Sequence, residues 1–396
     1  MSNQPLKHLS DQHILPTYAR YPIAFTKGQG SRLWDADGKE YIDFMSGIGV
    51  ISVGHAHPKW IEAVTAQAQN LAHVSNLYYT KPGANLAQQL CEISGHMSGL
   101  FFANSGAEAN EGLIKTARKY SRDKYGEGRA TIITLEGSFH GRTISTLAAT
   151  GQEKFHQHFF PFTPGFKHVA PGDLAALEAQ GDDVCALMLE PIQGEGGVMP
   201  LDADYVRAAA EICMKSDWLL LMDEVQTGIG RTGKWFGYQH FNILPDALSF
   251  AKGIAGGLPL GGFMVGEKLA TTLGPGDHAT TYGGNPICAA AALAVLDVVE
   301  DALPQVTEMG EYIRTQIQAM NASCIAQIRG RGLMIGAKIQ GHAPGEINAK
   351  LLEAGLAALT AGTDILRILP PLTIEKKDID AGLKIMHNVL STYFAK

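Results

Sequence analysis

The chain has 396 residues, of which 45% are hydrophobic and 18% are charged, and its formal net charge is −7. This length exceeds what one core usually supports and predicts two domains, while the composition is that of a globular rather than a disordered protein. The negative charge and the lack of a long basic run argue against nucleic acid or an anionic membrane as a partner.

Cysteine usage and the N-terminal sequence bear on the compartment. The five cysteines lie far apart without a CxxC spacing, which favours reduced thiols. The start of the chain has no apolar signal core, and no apolar run approaches the ~18 residues that a bilayer span needs. We therefore expect a cytoplasmic protein.

The first part of the chain predicts short strands and a helix. Ser31–Asp35 and Gly38–Phe44 are strand-like, and the Asp37-Gly38 pair between them is typical of a hairpin turn. Pro58 opens a helix whose apolar residues share one face. Those residues are Ile61, Val64, Ala68 and Leu71.

Between about residues 100 and 262, apolar runs alternate with segments of helical length. Runs without internal alternation are typical of parallel strands buried on both faces, so the pattern predicts an α/β fold. The runs are 100–103, 131–135, 185–189, 219–222, 247–251 and 262–265. Polar residues follow five of them, and ligands of open α/β sheets bind beyond the carboxyl ends of the strands. The sequence therefore predicts one site at this edge.

The remainder of the chain predicts a smaller α+β domain that the N-terminal strands complete. Its expected elements are an alanine-rich helix after Pro286, a second helix at 305–320, a strand at 332–339, a helix at 346–359, a strand at 365–369 and a closing helix with an apolar stripe from Ile379 to Phe394. We assign residues 1–50 to the small domain, 51–285 to the large domain and 286–396 to the C-terminal part of the small domain.

Lys252 and Asp223 together indicate pyridoxal phosphate (PLP). Each follows an apolar run; a lysine can bind the cofactor aldehyde covalently, and an acid can pair with the pyridinium nitrogen. A surface lysine and a helix-capping aspartate are the alternatives, but a buried aspartate needs a cationic partner. The cofactor-binding run extends through Glu224, Val225, which suits one ring face, and Gln226, whose amide suits the phenolic oxygen.

Two further motifs suit the phosphate and the ring of this cofactor. Ser105, Gly106 and Ala107 stand where a strand passes into a helix, which favours a phosphate, although an ordinary capped turn fits as well. Phe139 could lie flat against the pyridine ring. The pairs His55/His57 and His156/His158 lack a third ligand, so we predict no metal site.

Two arginines are candidates for substrate carboxylates. Arg142 follows Phe139 closely and could bind a carboxylate in bidentate fashion, or it could be an ordinary surface arginine. Arg367 stands within an apolar strand and needs a partner, which a substrate or Glu195 could provide. Thr280 and Thr281 precede a helix and could offer hydroxyl groups to a phosphate, within the chain or across a subunit boundary.

Together these motifs resemble the class III PLP-dependent aminotransferases of fold type I. The likeness runs nearly from end to end, and Asn104-Ser-Gly-Ala-Glu-Ala-Asn, Phe139-His-Gly-Arg-Thr and Asp223-Glu-Val-Gln-Thr-Gly are its most specific motifs. The resemblance implies a large domain with a mostly parallel seven-stranded sheet, and a smaller α+β domain built from both chain ends.

The same resemblance implies roles for the site residues. Ser105, Gly106 and Ala107 would hold the phosphate, with Thr281 reaching it from the partner subunit of a homodimer with shared active sites. Arg142, with Thr280 nearby, would bind the carboxylate remote from the reacting amine. Arg367 would take the α-carboxylate of glutamate, and Glu195 would pair with Arg367 when that carboxylate is absent.

Within the family, the chain is most similar to members that transfer the δ-amino group of N-acetylornithine to 2-oxoglutarate in arginine biosynthesis. Where ornithine-specific members carry a substrate-binding tyrosine, this chain has Ile48, and Ala279-Thr280-Thr281 replaces a Gly-Ser-Thr run. The alternatives are a 4-aminobutyrate, succinylornithine or putrescine aminotransferase, an aminomutase, and a cofactor-binding protein without enzymatic activity.

Overall fold

The structure, a computed structural model, describes residues 2–394. Its N-terminal part contains three consecutive antiparallel strands, with helices before and after them. These elements are α1 (Asn3–His13), β1 (Phe25–Gln29), β2 (Arg32–Asp35), β3 (Glu40–Asp43), the left-handed turn α2 (Ser46–Gly49) and α3 (Pro58–Asn70). Strands β2 and β3 pair in antiparallel fashion, which confirms the predicted hairpin.

The middle of the chain alternates strands and helices, as the sequence predicts. Its elements are α4 (Lys81–Ser94), β4 (Met97–Ala103), α5 (Gly106–Tyr125), β5 (Thr131–Leu135), α6 (Ile144–Ala149), β6 (Phe166–Val169), α7 (Leu174–Glu178), β7 (Val184–Leu189), β8 (Ile192–Gln193), β9 (Met199–Pro200), α8 (Ala203–Lys215), β10 (Leu219–Asp223), β11 (Ala247–Phe250) and β12 (Gly261–Gly266). Side chains cap several of these helices; Ser105, for example, accepts a hydrogen bond from the amide of Glu108 at the start of α5.

Seven of these strands form the central sheet in the order β4-β12-β11-β10-β7-β5-β6. Only β12 runs against its neighbours, so the expected mostly parallel seven-stranded sheet is confirmed. Every residue of β5, β7, β10 and β11 is buried, because helices cover both faces of a parallel sheet. This rigid layer fixes where its strands end.

The C-terminal elements form a second sheet with flanking helices. They are α9 (Pro286–Ala319), β13 (Ile325–Arg331), β14 (Met334–Ile339), α10 (Pro344–Glu353), β15 (Leu356–Ala357), β16 (Leu359–Ala361), β17 (Ile365–Ile368) and α11 (Lys376–Tyr393). The sheet has the order β13-β14-β17-β16, while β15 pairs with β3 in a separate sheet. This pairing confirms that both chain ends build the smaller α+β part.

Helix α9 corrects the prediction of two helices after Pro286. It continues without interruption through Pro304 to Ala319, although a proline inside a helix removes one hydrogen bond and usually ends or kinks it. Ala302 and Val306, on either side of the proline, are buried, so tertiary packing keeps the helix intact. Helix α9 contacts α3 and α4, which belong to the predicted large domain, as well as α11 and β13, which belong to the predicted small domain. The domain limits at residues 50 and 285 remain predictions.

Within residues 2–394, no helix combines the length and the apolar character that crossing a membrane would require.

Candidate active site

A cavity of about 410 Å³ lies beyond the carboxyl ends of the central strands. Residues that follow β4, β5, β7, β10 and β11 line it together. Among them are Ser105, Gly106, Ala107, Phe139, Arg142, Glu190, Glu195, Asp223, Val225, Gln226 and Lys252. The polar strand ends therefore meet in one place, as the alternating pattern of the sequence predicts.

Lys252 follows β11 and has a backbone conformation that residues other than glycine rarely adopt. Its φ of 42° lies in the left-handed region, and such residues cluster at functional sites. The hydroxyl of Ser52 donates a hydrogen bond of 2.6 Å to the carbonyl of Gly253, which steadies this turn. Burial lowers the pKa of Lys252, and the ammonium has no ion pair among residues 2–394, so the amine is disposed to lose its proton.

Asp223 ends β10 and is 3% exposed. One carboxylate oxygen accepts hydrogen bonds from Asn110 Nδ2 at 2.7 Å and from His140 Nδ1 at 2.8 Å. The other accepts from the amide of Val225 at 3.0 Å and from the hydroxyl of Ser249 at 3.3 Å. The acid is thus fixed in orientation from four sides.

His140 supplies Asp223 with a cationic partner from the protein itself. Burial alone would lower the pKa of His140, but the hydrogen bond and the charge of Asp223 outweigh it, and the pKa is raised. The sequence favours the cofactor ring as that partner, and the structure adds the imidazole of His140. The position of His140 directly after Phe139 is the only sign of this role in the sequence. The sequence positions of His140 and Asp223 do not reveal that their side chains meet.

The N-terminus of α5 faces the same cavity through Ser105, Gly106 and Ala107. A Cβ atom on Gly106 would lie 2.7 Å from Val225 Cγ1, so only glycine permits this close approach. The free amides and the positive helix end suit an anion.

Thr280 and Thr281 lie outside the cavity wall. The Thr280 hydroxyl accepts a hydrogen bond of 3.2 Å from Asn104 Nδ2, and Asn104 itself lines the cavity. Thr281 is exposed in the single chain. Ile48 is 43% exposed and also stands outside the wall, whereas its neighbour Val50 lines it.

Glu195 and Arg367 form a two-pronged ion pair next to this cavity. Arg367 Nη1 lies 2.5 Å from Glu195 Oε1, and Nη2 lies 3.4 Å from Oε2. Gln226 contacts both partners, because its Oε1 accepts from Arg367 at 3.3 Å and its Nε2 donates to Glu195 at 3.4 Å. Burial raises the pKa of Glu195, but Arg367 outweighs it and the net pKa is lowered. The pairing expected from the resemblance is present.

Phe139 and Glu190 form one wall of the cavity. The Phe139 amide donates a hydrogen bond of 2.9 Å to one Glu190 carboxylate oxygen, and the Gly194 amide donates one of 3.3 Å to the other. Glu190 thus ties the loop of Phe139 to the loop that carries Glu195. Burial raises the pKa of Glu190 to about 7.

Glu224 points away from the cavity, unlike the other residues of the run 223–226. Its carboxylate accepts hydrogen bonds from the amides of Gly237 and Tyr238, at 2.8 and 2.7 Å, and from the hydroxyl of Thr227. We correct its expected role in cofactor contact, since these hydrogen bonds hold its carboxylate outside the cavity wall. The sequence placed Glu190 at one of the polar strand ends and Asn110 in a family motif, but it assigned neither residue a role in the site.

The arrangement fits PLP. The cavity holds an unpaired amine with a lowered pKa, a fixed carboxylate with a cationic neighbour, a helix N-terminus for a phosphate and an aromatic side chain. The buried Nε2 of His140, Oδ1 of Asn110 and Nε of Arg367 have no partner among the described residues. Buried polar atoms of this kind usually indicate a missing ligand or water.

The sequence model of the family described as "Aminotransferase class-III" matches residues 15–390. The chain belongs to the class III aminotransferase family. It is 50% identical over 395 residues to the acetylornithine aminotransferase of Haemophilus ducreyi, with 99% of this chain and 100% of that protein covered.

Solved structures of other aminotransferases have the same fold. The acetylornithine aminotransferase of Elizabethkingia anophelis superposes with a TM-score of 0.89 at 31% identity. The superposition covers 99% of this chain and 100% of that chain. An ornithine aminotransferase of Toxoplasma gondii, with PLP at partial occupancy in its active site, superposes with a TM-score of 0.93 at 30% identity. The superposition covers 97% of this chain and 93% of that chain. The protein is therefore an aminotransferase of fold type I, from a family that depends on PLP.

Proposed function

We propose that this aminotransferase binds PLP and transfers the δ-amino group of N2-acetyl-L-ornithine to 2-oxoglutarate, giving N-acetylglutamate 5-semialdehyde and glutamate. The reaction is a step of arginine biosynthesis. The name of the Haemophilus ducreyi relative supports this donor. The observation that carries the proposal is the ion pair of Arg367 with Glu195, which lines the cavity that holds Lys252.

We assign the cofactor to the residues that the cavity brings together. Lys252 would hold the aldehyde carbon, Asp223 the ring nitrogen and Gln226 the phenolic oxygen. Phe139 and Val225 would face the ring, and the phosphate would lie at the N-terminus of α5. When bound, PLP supplies an electron sink that acidifies the C–H bond beside the reacting amine.

Lys252 would move the proton that this acidity releases. Its lowered pKa, which results from burial, makes the neutral amine available as a general base at the δ-carbon of the donor. Asp223, with His140 at 2.8 Å, would keep the ring nitrogen protonated throughout. The chain would thus supply Lys252 as the base at the reacting carbon and Asp223 as the fixed carboxylate at the ring nitrogen.

The Glu195–Arg367 pair would let one cavity accept two kinds of substrate. N-acetylornithine reacts through a terminal amine with no carboxylate beside it, so Glu195 neutralises Arg367. Glutamate reacts through its α-amine and brings a carboxylate, so Glu195 must leave Arg367. The glycine-rich loop Gly194–Gly197 gives Glu195 the freedom to move.

We further propose a cytoplasmic homodimer with shared active sites. Leu71, Leu77, Tyr78, Tyr79 and Tyr282 form an exposed apolar patch, with Leu77 87% and Tyr78 70% exposed; the ring of Tyr282 lies 5.7 Å from that of His73 in the same segment. Asn76 Nδ2 joins this segment to the carbonyl of Gly283 at 3.0 Å, next to the exposed Thr281. Large apolar patches of this kind mark contacts between proteins.

Initial rates on a panel of amines test the proposal. With 2-oxoglutarate as acceptor, kcat/KM should be highest for N-acetylornithine and lower for succinylornithine, ornithine, 4-aminobutyrate and putrescine. Turnover should cease without 2-oxoglutarate, which an aminomutase would not require. A higher kcat/KM for any other amine would refute the proposed donor.

The role of Lys252 needs a separate variant. Lys252→Ala should abolish turnover and change the visible absorbance of the bound cofactor. Among residues 2–394, no other lysine lines the cavity and could take its place. Lys350→Ala, which removes a surface pair with Glu353 and a contact with the exposed ring of Tyr393, serves as the control. Retained steady-state activity in the Lys252 variant would reject its role as the base.

A further inference from the structure

Arg142 is held in the cavity wall by aromatic rings rather than by an acid. Its guanidinium carbon lies 4.0 Å from the centroid of the Phe155 ring and 5.6 Å from that of Phe139. Within residues 2–394 it has no ion pair and no hydrogen bond. A long cationic side chain without such contacts samples many rotamers, so the ring contact is the interaction that restrains its direction.

Phe155 connects Arg142 to a fixed part of the site. It ends a short 3-10 turn, Glu153–Phe155, stands outside the cavity wall and is half-buried. Its ring meets the ring of Phe139 edge-on, with centroids 5.9 Å apart and an angle of 75° between the planes. Phe139 is itself anchored through its amide to Glu190. Arg142 therefore rests on a ring that also contacts the anchored residue.

We propose that Phe155 is a positioning residue that directs Arg142 toward the substrate and so selects donors with a carboxylate remote from the reacting amine. The inference rests on the proposed function, since it takes Arg142 as the group that binds this carboxylate. A cation over an aromatic face is attracted by the ring quadrupole, and the attraction strengthens where water is excluded. A bound substrate would exclude water here.

A second cation near the same ring provides an internal comparison. Lys154 Nζ lies 4.8 Å from the centroid of Phe155. If positive charge near the cavity mouth attracted the carboxylate by itself, removal of Lys154 would weaken the same substrates. If the ring acts by orienting Arg142, Lys154→Gln leaves the selectivity unchanged.

Two donors that differ only in the carboxylate isolate this effect. N-acetyl-1,4-diaminobutane is N-acetylornithine without its carboxylate, and kcat/KM is measured for both with the holoenzyme and 2-oxoglutarate. In Phe155→Leu we expect kcat/KM for N-acetylornithine to fall about 5- to 30-fold, mainly through KM, and that for the amine to stay within about twofold. Single-turnover absorbance changes give the same ratio if steady-state turnover of the amine is slow.

Matched variants separate positioning from a structural role. Phe155→Tyr keeps an aromatic face and should retain the selectivity of the wild type. Phe159→Leu removes a half-exposed ring of the same segment that does not contact Arg142 and should have no effect.

The outcomes are distinct. Equal losses for both donors in Phe155→Leu, an unchanged ratio, or the same loss in Lys154→Gln would each overturn the role of Phe155. A wild-type enzyme that does not prefer the carboxylated donor would instead refute the proposed role of Arg142, and with it the proposed function.

Discussion

At the scale of single residues, a buried charge cluster forms part of the cavity wall. Asp223 and Glu190 are two acids separated by His140, whose imidazole hydrogen-bonds Asp223. The raised pKa of His140 favours its cationic form, which offsets one negative charge. Among residues 2–394, Glu190 has no such ion pair; the charge of His140 and two backbone amides stabilise its anion instead.

This difference leads to a prediction for Glu190→Gln. Glutamine offers one acceptor oxygen, so its amide group would oppose either the Phe139 or the Gly194 amide. A buried donor without an acceptor costs about 1–3 kcal/mol. We expect a lower urea midpoint for unfolding of the apoenzyme, while Glu178→Gln, at an exposed position, should match the wild type.

The pH dependence of the same variant has a defined sign. Burial raises the pKa of Glu190 from 4.5 to about 7, so the folded state binds more protons than the unfolded state between these values. Wild-type stability therefore decreases as pH rises through this window, by at most about 1.4 kcal/mol per pH unit from this group. The variant lacks this contribution, while Glu224 remains in both proteins. The deficit of Glu190→Gln should be larger at pH 5 than at pH 8; a deficit independent of pH would contradict the shift.

The limits of sequence reasoning are visible at these residues. Lys252, Asp223 and Glu195 stand at strand ends or in glycine-rich loops, which a pattern of apolar runs can locate. Asn110, Glu190 and Phe155 act through a backbone amide or another side chain. Such contacts depend on how two loops or a helix and a strand approach each other, and no spacing in the sequence encodes that approach.

At the scale of secondary-structure elements, helix α9 is the clearest departure from expectation. Local propensity predicts a break at Pro304, but the helix packs along its length against other elements. Gly310 is one of its closest contacts: an added Cβ would lie 2.1 Å from the carbonyl oxygen of Gly332. The turn between β13 and β14 can approach α9 only because this position lacks a side chain.

We therefore predict that Gly310→Ala destabilises the protein despite the better helix propensity of alanine. Propensity favours alanine by about 1 kcal/mol, whereas overpacking against backbone costs about 1–3 kcal/mol. Gly345, in α10, has nothing within 4 Å of the added Cβ, so Gly345→Ala should raise the thermal midpoint. If Gly310→Ala also raised that midpoint, the close contact would be disproved.

At the scale of the whole molecule, the apolar pattern of α3 is only partly explained by one chain. The expected helix is present, yet Ile61 is 45% exposed and no residue of the helix is buried. Periodicity identifies the apolar face of a helix but does not distinguish a face that packs within the chain from one that packs against another chain. The exposed patch beginning at Leu71 continues directly from the end of this helix.

A charge placed in the exposed patch tests the proposed homodimer. Leu77 is 87% exposed in the single chain, and Leu77→Asp would place an unpaired carboxylate in the apolar contact. In light scattering coupled to gel filtration, the wild type should have about twice the 42.4 kDa mass of the chain, and the variant should approach the mass of one chain.

Loss of the dimer should also weaken the enzyme's hold on PLP, because Thr281 would no longer complete the phosphate site across the boundary. Leu244, 74% exposed but outside the patch, provides the matched control. Leu244→Asp should remain dimeric and active. A dimeric Leu77→Asp enzyme would place the subunit contact elsewhere, whereas a monomer with unchanged PLP affinity would show that each chain holds the cofactor alone.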